Sequence, residues 1–172
     1  MREPMSLRLA AMQDLPRIKD VYGRIVDHMD ETGIRIWDDV YPREFFEDDI
    51  ANERLYVVTA GADVAAAFAL CDSHPGEGFV QWRDGRGKAL YVDRLGVDVG
   101  YRGLGVGGLA LGHAKTLARR RGAEYLRLFV VDANEPAIRL YGRSGFVRRP
   151  GVYDEVIDAD LVFHEYGFET AL

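Results

Sequence analysis

The stretch VGYRGLGVGG, from Val99 to Gly108, places five glycines in ten residues. A β-rich run, Ala89–Val97, precedes it, and apolar residues at helical spacing follow it as far as Arg121. A glycine inside a helix costs roughly 1 kcal/mol relative to alanine, so this segment reads as one that needs bare backbone. A strand, a glycine turn and a helix in that order build an anion site. The first helical turn carries unpaired N–H groups and a partial positive charge, and phosphate oxygens satisfy both. Arg102 adds a full charge, and a Cβ would hold a phosphate away from the backbone. Arg102–Gly107, with Gly103, Gly105 and Gly107, therefore reads as a diphosphate cradle. The plainer alternative is a flexible turn with close helix–strand packing.

The type of phosphate ligand is narrowed by what surrounds the glycines. A P-loop requires G-x-x-x-x-G-K-[ST], and both the lysine and the hydroxyl are missing. A dinucleotide fold requires G-x-G-x-x-G, which Gly103-Leu104-Gly105-Val106-Gly107-Gly108 matches as a string, with Asp132 near the end of the next strand as a ribose acid. Only 64 residues follow Gly108, however. They leave room for about one more crossover rather than a doubly wound sheet.

The 172 residues predict a single domain over 1–172 with a core of its own. The net charge of −6 argues against nucleic-acid binding, which needs a basic surface. One cysteine, Cys71, excludes an internal disulfide and fits a reducing, cytoplasmic setting. No apolar run approaches the length of a membrane span, and the N-terminus lacks the apolar core of a secretory signal. His28, His74, His113 and His164 have no metal-ligand spacing, so no metal site is expected.

Along the chain, Leu7–Ala11 reads as a first strand and Asp14 as the cap of a helix with Pro16 in its first turn and Gly33 as its stop. A second helix is expected from Pro42 to Ile50. Leu55–Ala60 and Val64–Leu70 read as a hairpin around Gly61-Ala62-Asp63. The long loop Asp72–Lys88 has Phe79–Trp82 as a candidate short strand. Then come the strand Ala89–Val97, the helix closed by Gly122, the strand Tyr125–Val131, and the helix Asn134–Ser144 stopped by Gly145. Phe146–Arg148 and Leu161–Phe168 read as terminal strands. This order describes an α/β or α+β sandwich with one parallel pair at its centre.

Two segments resemble a known family. LGVDVGYRGLGVGGLALGHA is similar to the acetyl-CoA motif of the GNAT superfamily of N-acetyltransferases, [Q/R]-x-x-G-x-[G/A], here Arg102-Gly103-Leu104-Gly105-Val106-Gly107. Downstream, NEPAIRLYGRSGF resembles the family's second signature at Asn134, Ala137, Tyr141, Gly145 and Phe146. The two motifs with the strand between them cover about a third of the chain. The resemblance implies a mixed, mostly antiparallel sheet flanked by helices, with a splayed parallel pair formed by Ala89–Val97 and Tyr125–Val131. It implies acetyl-CoA as cofactor, its pantetheine arm pairing with main chain at Leu95 and Val97 and its diphosphate on Arg102–Gly108. Gly96 marks either a bulge that opens the gap or a point of close packing.

The implied reaction moves acetyl from the thioester to a primary amine by direct attack in a ternary complex. An amine of pKa ~10.4 is about one part in a thousand neutral at pH 7, so a base or a water relay helps. Backbone N–H near Val97 offers an oxyanion donor. Tyr141, two helical turns after Asn134 and on its face, is the expected general acid. Asn134 would hold the pantetheine arm or the helix start, and Arg143 would meet the 3′-phosphate or solvent. Asp93 is the first candidate base and Glu165 the second. Asp93 can also pair with Arg94 or Lys88. Trp37 and Tyr41 are expected to wall the acceptor pocket, and Trp82 to act as a lid or pack. Asp38, Asp39, Glu47, Asp48 and Asp49 would draw a cationic amine or simply be solvated. The acceptor is a small-molecule or peptide amine, with a homodimer compatible with the terminal strands. The rival readings are a non-catalytic acyl-CoA-binding module and a nicotinamide-dinucleotide enzyme.

Overall fold

A computed structural model describes residues 3–172. Seven strands form one sheet in the order β1-β2-β3-β4-β5-β7-β6, mostly antiparallel, with β4 and β5 parallel. The strands are β1 (Met5–Leu9), β2 (Leu55–Ala60), β3 (Asp63–Cys71), β4 (Ala89–Val97), β5 (Tyr125–Val131), β6 (Val147–Val156) and β7 (Val162–Ala171). The helices are α1 (Leu15–Thr32), α2 (Phe46–Ala51), α3 (Val106–Arg120) and α4 (Glu135–Arg143). The expected mixed α/β sheet with one parallel pair is what the chain forms. It divides into two compact units, Met1–Leu70 with Arg94–His113, and Cys71–Asp93 with Ala114–Leu172.

In the first unit, β1 and β2 pair from Met5↔Ala60 to Leu9↔Tyr56. The first strand thus starts and ends two residues before the expected Leu7–Ala11. The reason is that Asp14 is taken by the approach to α1: Arg8 forks its carboxylate at 2.7 and 2.8 Å, and Ala11 N–H donates to it at 2.7 Å. Asp14 is the residue before α1 but makes no side-chain cap hydrogen bond to that helix. Gly33 ends α1 in the left-handed conformation, as expected. The expected second helix is a 3-10 turn (Arg43–Phe45) running into α2.

In the second unit, β5 pairs β7 from Tyr125↔Ala171 to Val131↔Glu165. Strand β6 runs to Val156, well beyond the expected Arg148. Pro150 and Gly151 suggest a turn in sequence, yet they form a bulge between Arg148 and Val152. Gly151 lies at φ 111°, and a Cβ there would come within 2.3 Å of the Phe79 carbonyl. The proposed strand Phe79–Trp82 is absent. Its start is the end of a 3-10 turn, Glu77–Phe79. Gln81 N–H donates to Pro150 O (2.9 Å), and Val80 and Trp82 pack onto Gly167.

Candidate active site

The glycine turn belongs to the first unit. After β4, a 3-10 turn (Val99–Tyr101) delivers Arg102 in an extended conformation. Asp98 anchors its start: Asp98 N–H donates to Ala65 O at 2.8 Å, and the carboxylate receives Arg24 Nε at 3.0 Å. Gly103 and Gly105 then adopt φ 73° and 78°, which side chains rarely tolerate. A Cβ built on Gly103, Gly105 or Gly108 meets no atom within 4 Å, so the turn faces open space rather than packed side chains. Arg102, Gly103, Leu104 and Gly105 are exposed, whereas Val106 is buried and fixes the start of α3. The N–H groups of Val106, Gly107 and Gly108 have no intrahelical acceptor by the geometry of a helix start. Open glycine backbone, a helix N-terminus and an exposed guanidinium fit a diphosphate.

Strand β4 enters this turn through an irregularity. Arg94 sits at φ 54°, unusual for a residue with a side chain. Of the two readings of Gly96, a bulge or close packing, the second holds, and the irregularity lies at Arg94. Gly96 itself is a close-packing position, because a Cβ there would fall 2.7 Å from Tyr22 Cζ and 2.9 Å from Ile25 Cδ1. The fully buried Tyr22 hydroxyl shares its proton between Ala67 O, at 3.0 Å, and Arg94 O. Its phenol pKa is driven up chiefly by burial, so it stays a donor. The Arg94 guanidinium turns to helix α2. It forks Asp49, which is completely buried and also receives Arg54 Nε at 2.7 Å. Asp49 thus has a structural partner and is neither solvated nor free to draw an amine. Arg54 also pairs with Asp48.

Trp37 stacks on Tyr22 with ring centroids 5.3 Å apart, and Tyr41 meets Phe45 edge-on at 5.6 Å. Tyr22 is a contributor that sequence reasoning missed, and Asp49 and Arg94 take roles other than those it expects. Asp49 lies inside an acidic run that looks like a solvated face, and nothing in the run Tyr91–Val97 marks Arg94 as left-handed.

The second unit holds the candidate acid. The pairing of β4 with β5 runs from Ala89↔Tyr125 to Val92↔Leu128. Tyr141 is buried against Phe146 and Phe168, each ring 6.2 Å away. Burial raises its phenol pKa first, and the negative charge of Asp93 adds to the rise. Tyr141 therefore keeps its proton across the physiological range. Asn134 begins α4, its side-chain oxygen accepting Ala137 N–H at 3.4 Å, and Arg143 is exposed in the last turn. Trp82 is held rather than free: its Nε1 donates to Glu77 O at 2.8 Å, and Arg127 stacks over its ring at 4.5 Å. Glu165 is buried and its carboxyl is pushed up to about 9, by desolvation first and then by Glu155 and Asp93.

The mixed sheet and the open glycine turn that leads β4 into α3 define an α/β protein with exposed backbone at a helix N-terminus. The chain belongs to the acetyltransferase (GNAT) family, whose model matches residues 22–146. Streptothricin acetyltransferase from Streptomyces lavendulae is 33% identical over 100 residues, covering 58% of this chain and 48% of that protein. The match thus spans about half the length of that relative. A GNAT-family acetyltransferase from Streptococcus agalactiae superimposes with a TM-score of 0.79 at 19% identity, covering 100% of this chain and 98% of that one. The Salmonella typhimurium protein yncA, solved with its cofactor acetyl-CoA, gives 0.66 at 19% identity, covering 98% and 94%. Among the described residues, no helix is long and apolar enough to cross a membrane.

Proposed function

We propose that this protein is an acetyl-CoA-dependent N-acetyltransferase that transfers acetyl to a primary amine by direct attack in a ternary complex. The observation that carries this reading is the turn at Gly103 and Gly105, left-handed and facing open space, at the head of α3 in a member of the GNAT family. Acetyl-CoA, when bound, supplies the acyl group as a thioester. Arg102 and the N–H groups of Gly103–Gly108 bind the diphosphate. The main chain of Leu95 and Val97 would hold the pantetheine arm, with the Tyr22–Arg94 contact fixing this part of the strand. Asn134 holds the start of α4, on which Tyr141 rides, and Arg143 serves the 3′-phosphate.

Tyr141 holds its phenolic proton and would supply it to the sulfur of acetyl-CoA, so that coenzyme A leaves as a thiol rather than a thiolate. Its raised pKa suits a donor that must not ionise beforehand. Asp93, near enough to act on Tyr141, assists removal of the proton from the attacking amine. Trp37 and Tyr41 wall the acceptor. The relative named for acetylating streptothricin makes a compound of that class the first acceptor to test.

Two measurements test this. Calorimetry should detect binding of acetyl-CoA and not of NADH; binding of NADH alone would replace the reading. Tyr141→Phe should lower kcat by about 10²–10⁴-fold while acetyl-CoA affinity holds. A wild-type protein that binds acetyl-CoA but releases no free thiol with any amine would be a binding module instead.

A further inference from the structure

The register of the second unit gathers acidic side chains on one face of its sheet. Glu165 of β7 lies beside Val131 of β5 and beside Tyr153 of β6. Cross-strand partners project to the same side. Glu155, two residues beyond Tyr153, projects to that side as well, and its charge acts on Glu165. Asp93 of β4 is close enough for its charge to act on Glu165. His164 and Asp154, bonded to each other at 2.5 Å, belong to the opposite face. The charged groups acting on Glu165 are thus all acidic.

This cluster contains one atom with no account of itself. Glu165 is only 9% exposed, and its Oε2 is shut from solvent with no hydrogen-bond partner. A buried acceptor left unpaired is costly, and native proteins rarely tolerate one without a use for it. In its ionised form Glu165 lacks a donor at this oxygen, and an acidic surround selects a cationic one. Among the described residues, no group of three His, Cys, Asp or Glu side chains has the arrangement to hold a metal ion. Tyr153, flanking the carboxyls, offers an apolar ring for a carbon chain.

We propose that Glu155 and Glu165 form an ammonium-binding subsite, in which a primary alkylammonium group of the acceptor donates to Glu155 at the mouth and to the orphaned Oε2 of Glu165 behind it. This rests on the N-acetyltransferase reading for its place in the reaction. In the free protein desolvation first, and the neighbouring acids after it, keep a proton on Glu165. The arriving ammonium takes over the role of that proton, which leaves to solvent. One cation enters and one proton departs, so charge balances.

Protein labelled with carbon-13 at the glutamate carboxyls provides the test, with the Glu165 resonance assigned by its loss in E165Q. Cadaverine at tens of millimolar is the probe, with pentanediol as its uncharged counterpart. Cadaverine should lower the Glu165 titration midpoint by a full pH unit or more, a tenfold loss of proton affinity. Pentanediol should leave it in place. In E155Q the midpoint should fall toward the ordinary carboxylate range before any amine is added, and cadaverine should then move it less. A midpoint that cadaverine does not move overturns the subsite. Acetyl-CoA calorimetry on the same sample reports on the acetyltransferase reading separately, so the two failures are distinguishable.

Discussion

Arg94 grips Asp49 with two guanidinium nitrogens, Nε on Oδ2 and Nη2 on Oδ1, each at 2.8 Å. Both side chains are buried, and the Arg94 backbone is left-handed. The fork explains how that backbone persists: Asp49 holds the side chain while Tyr22 holds the carbonyl. The strand that feeds the glycine turn is thereby set by a helix α2 residue far away in sequence. Arg94→Met leaves Asp49 with Arg54 alone in a dry site. Removing one partner of a buried pair costs about 3–5 kcal/mol. Urea unfolding should show a loss of that size, together with weaker acetyl-CoA binding.

Gly96→Ala tests the same strand by steric means. The new methyl would lie 2.7 Å from Tyr22 Cζ, in a fully buried ring with little room to move. Overpacking of this kind costs about 1–3 kcal/mol. Because Leu95 and Val97 flank the position, acetyl-CoA affinity should fall with stability. An unchanged unfolding midpoint would show that the ring yields freely.

Gly105→Ala separates conformation from contact. A methyl there touches nothing in the free protein, so its cost is the left-handed backbone alone, roughly 1–2 kcal/mol. On the proposed reading it should nevertheless weaken acetyl-CoA binding strongly, because the methyl would take the space of the diphosphate. Calorimetry and urea unfolding on one sample compare the two effects.

The pH profile of kcat should lack an alkaline limb from Tyr141. Burial and Asp93 both raise its pKa, so the phenol stays protonated above the ordinary tyrosine value of ~10. The rate of the wild type should hold or rise to that point as the acceptor amine loses its proton. A fall centred near neutral pH that disappears in Tyr141→Phe would contradict the assignment.

Asp14 gives a prediction for acid stability. Its carboxyl is held below the usual range, first by hydrogen bonding from Arg8. A lowered folded pKa contributes stability that is fully present above the unfolded value of ~3.9 and is lost as pH falls through the folded value. Thermal melting of Asp14→Asn should therefore fall below wild type at neutral pH, and the two curves should converge in strong acid.

Much of the fold is legible because local chemistry decides it. Strands β4 and β5 are uninterrupted β-rich runs, and the stops at Gly33, Gly122 and Gly145 are all left-handed glycines. Strand β6 is less legible, because Pro150-Gly151 carries a turn signature that the pairing with β7 converts into a bulge. Of the candidate site, the turn at Arg102–Gly108 is readable from residue type and spacing, and Tyr141 through the resemblance of its segment to the GNAT signature. The Arg94–Asp49 fork and the Glu155–Glu165 pair are not, since each joins residues by tertiary packing or strand register. Neither a left-handed arginine nor an orphaned oxygen leaves a pattern in sequence.

The central claim is that the turn at Arg102–Gly108 grips a diphosphate. The most direct measurement is calorimetric affinity for acetyl-CoA against acetyl-pantetheine, which lacks the nucleotide and its diphosphate. Wild type should bind acetyl-CoA at least tenfold more tightly, about 1.4 kcal/mol, and Gly105→Ala should erase most of that margin. Equal affinity for the two compounds, or a margin that survives Gly105→Ala intact, would contradict it.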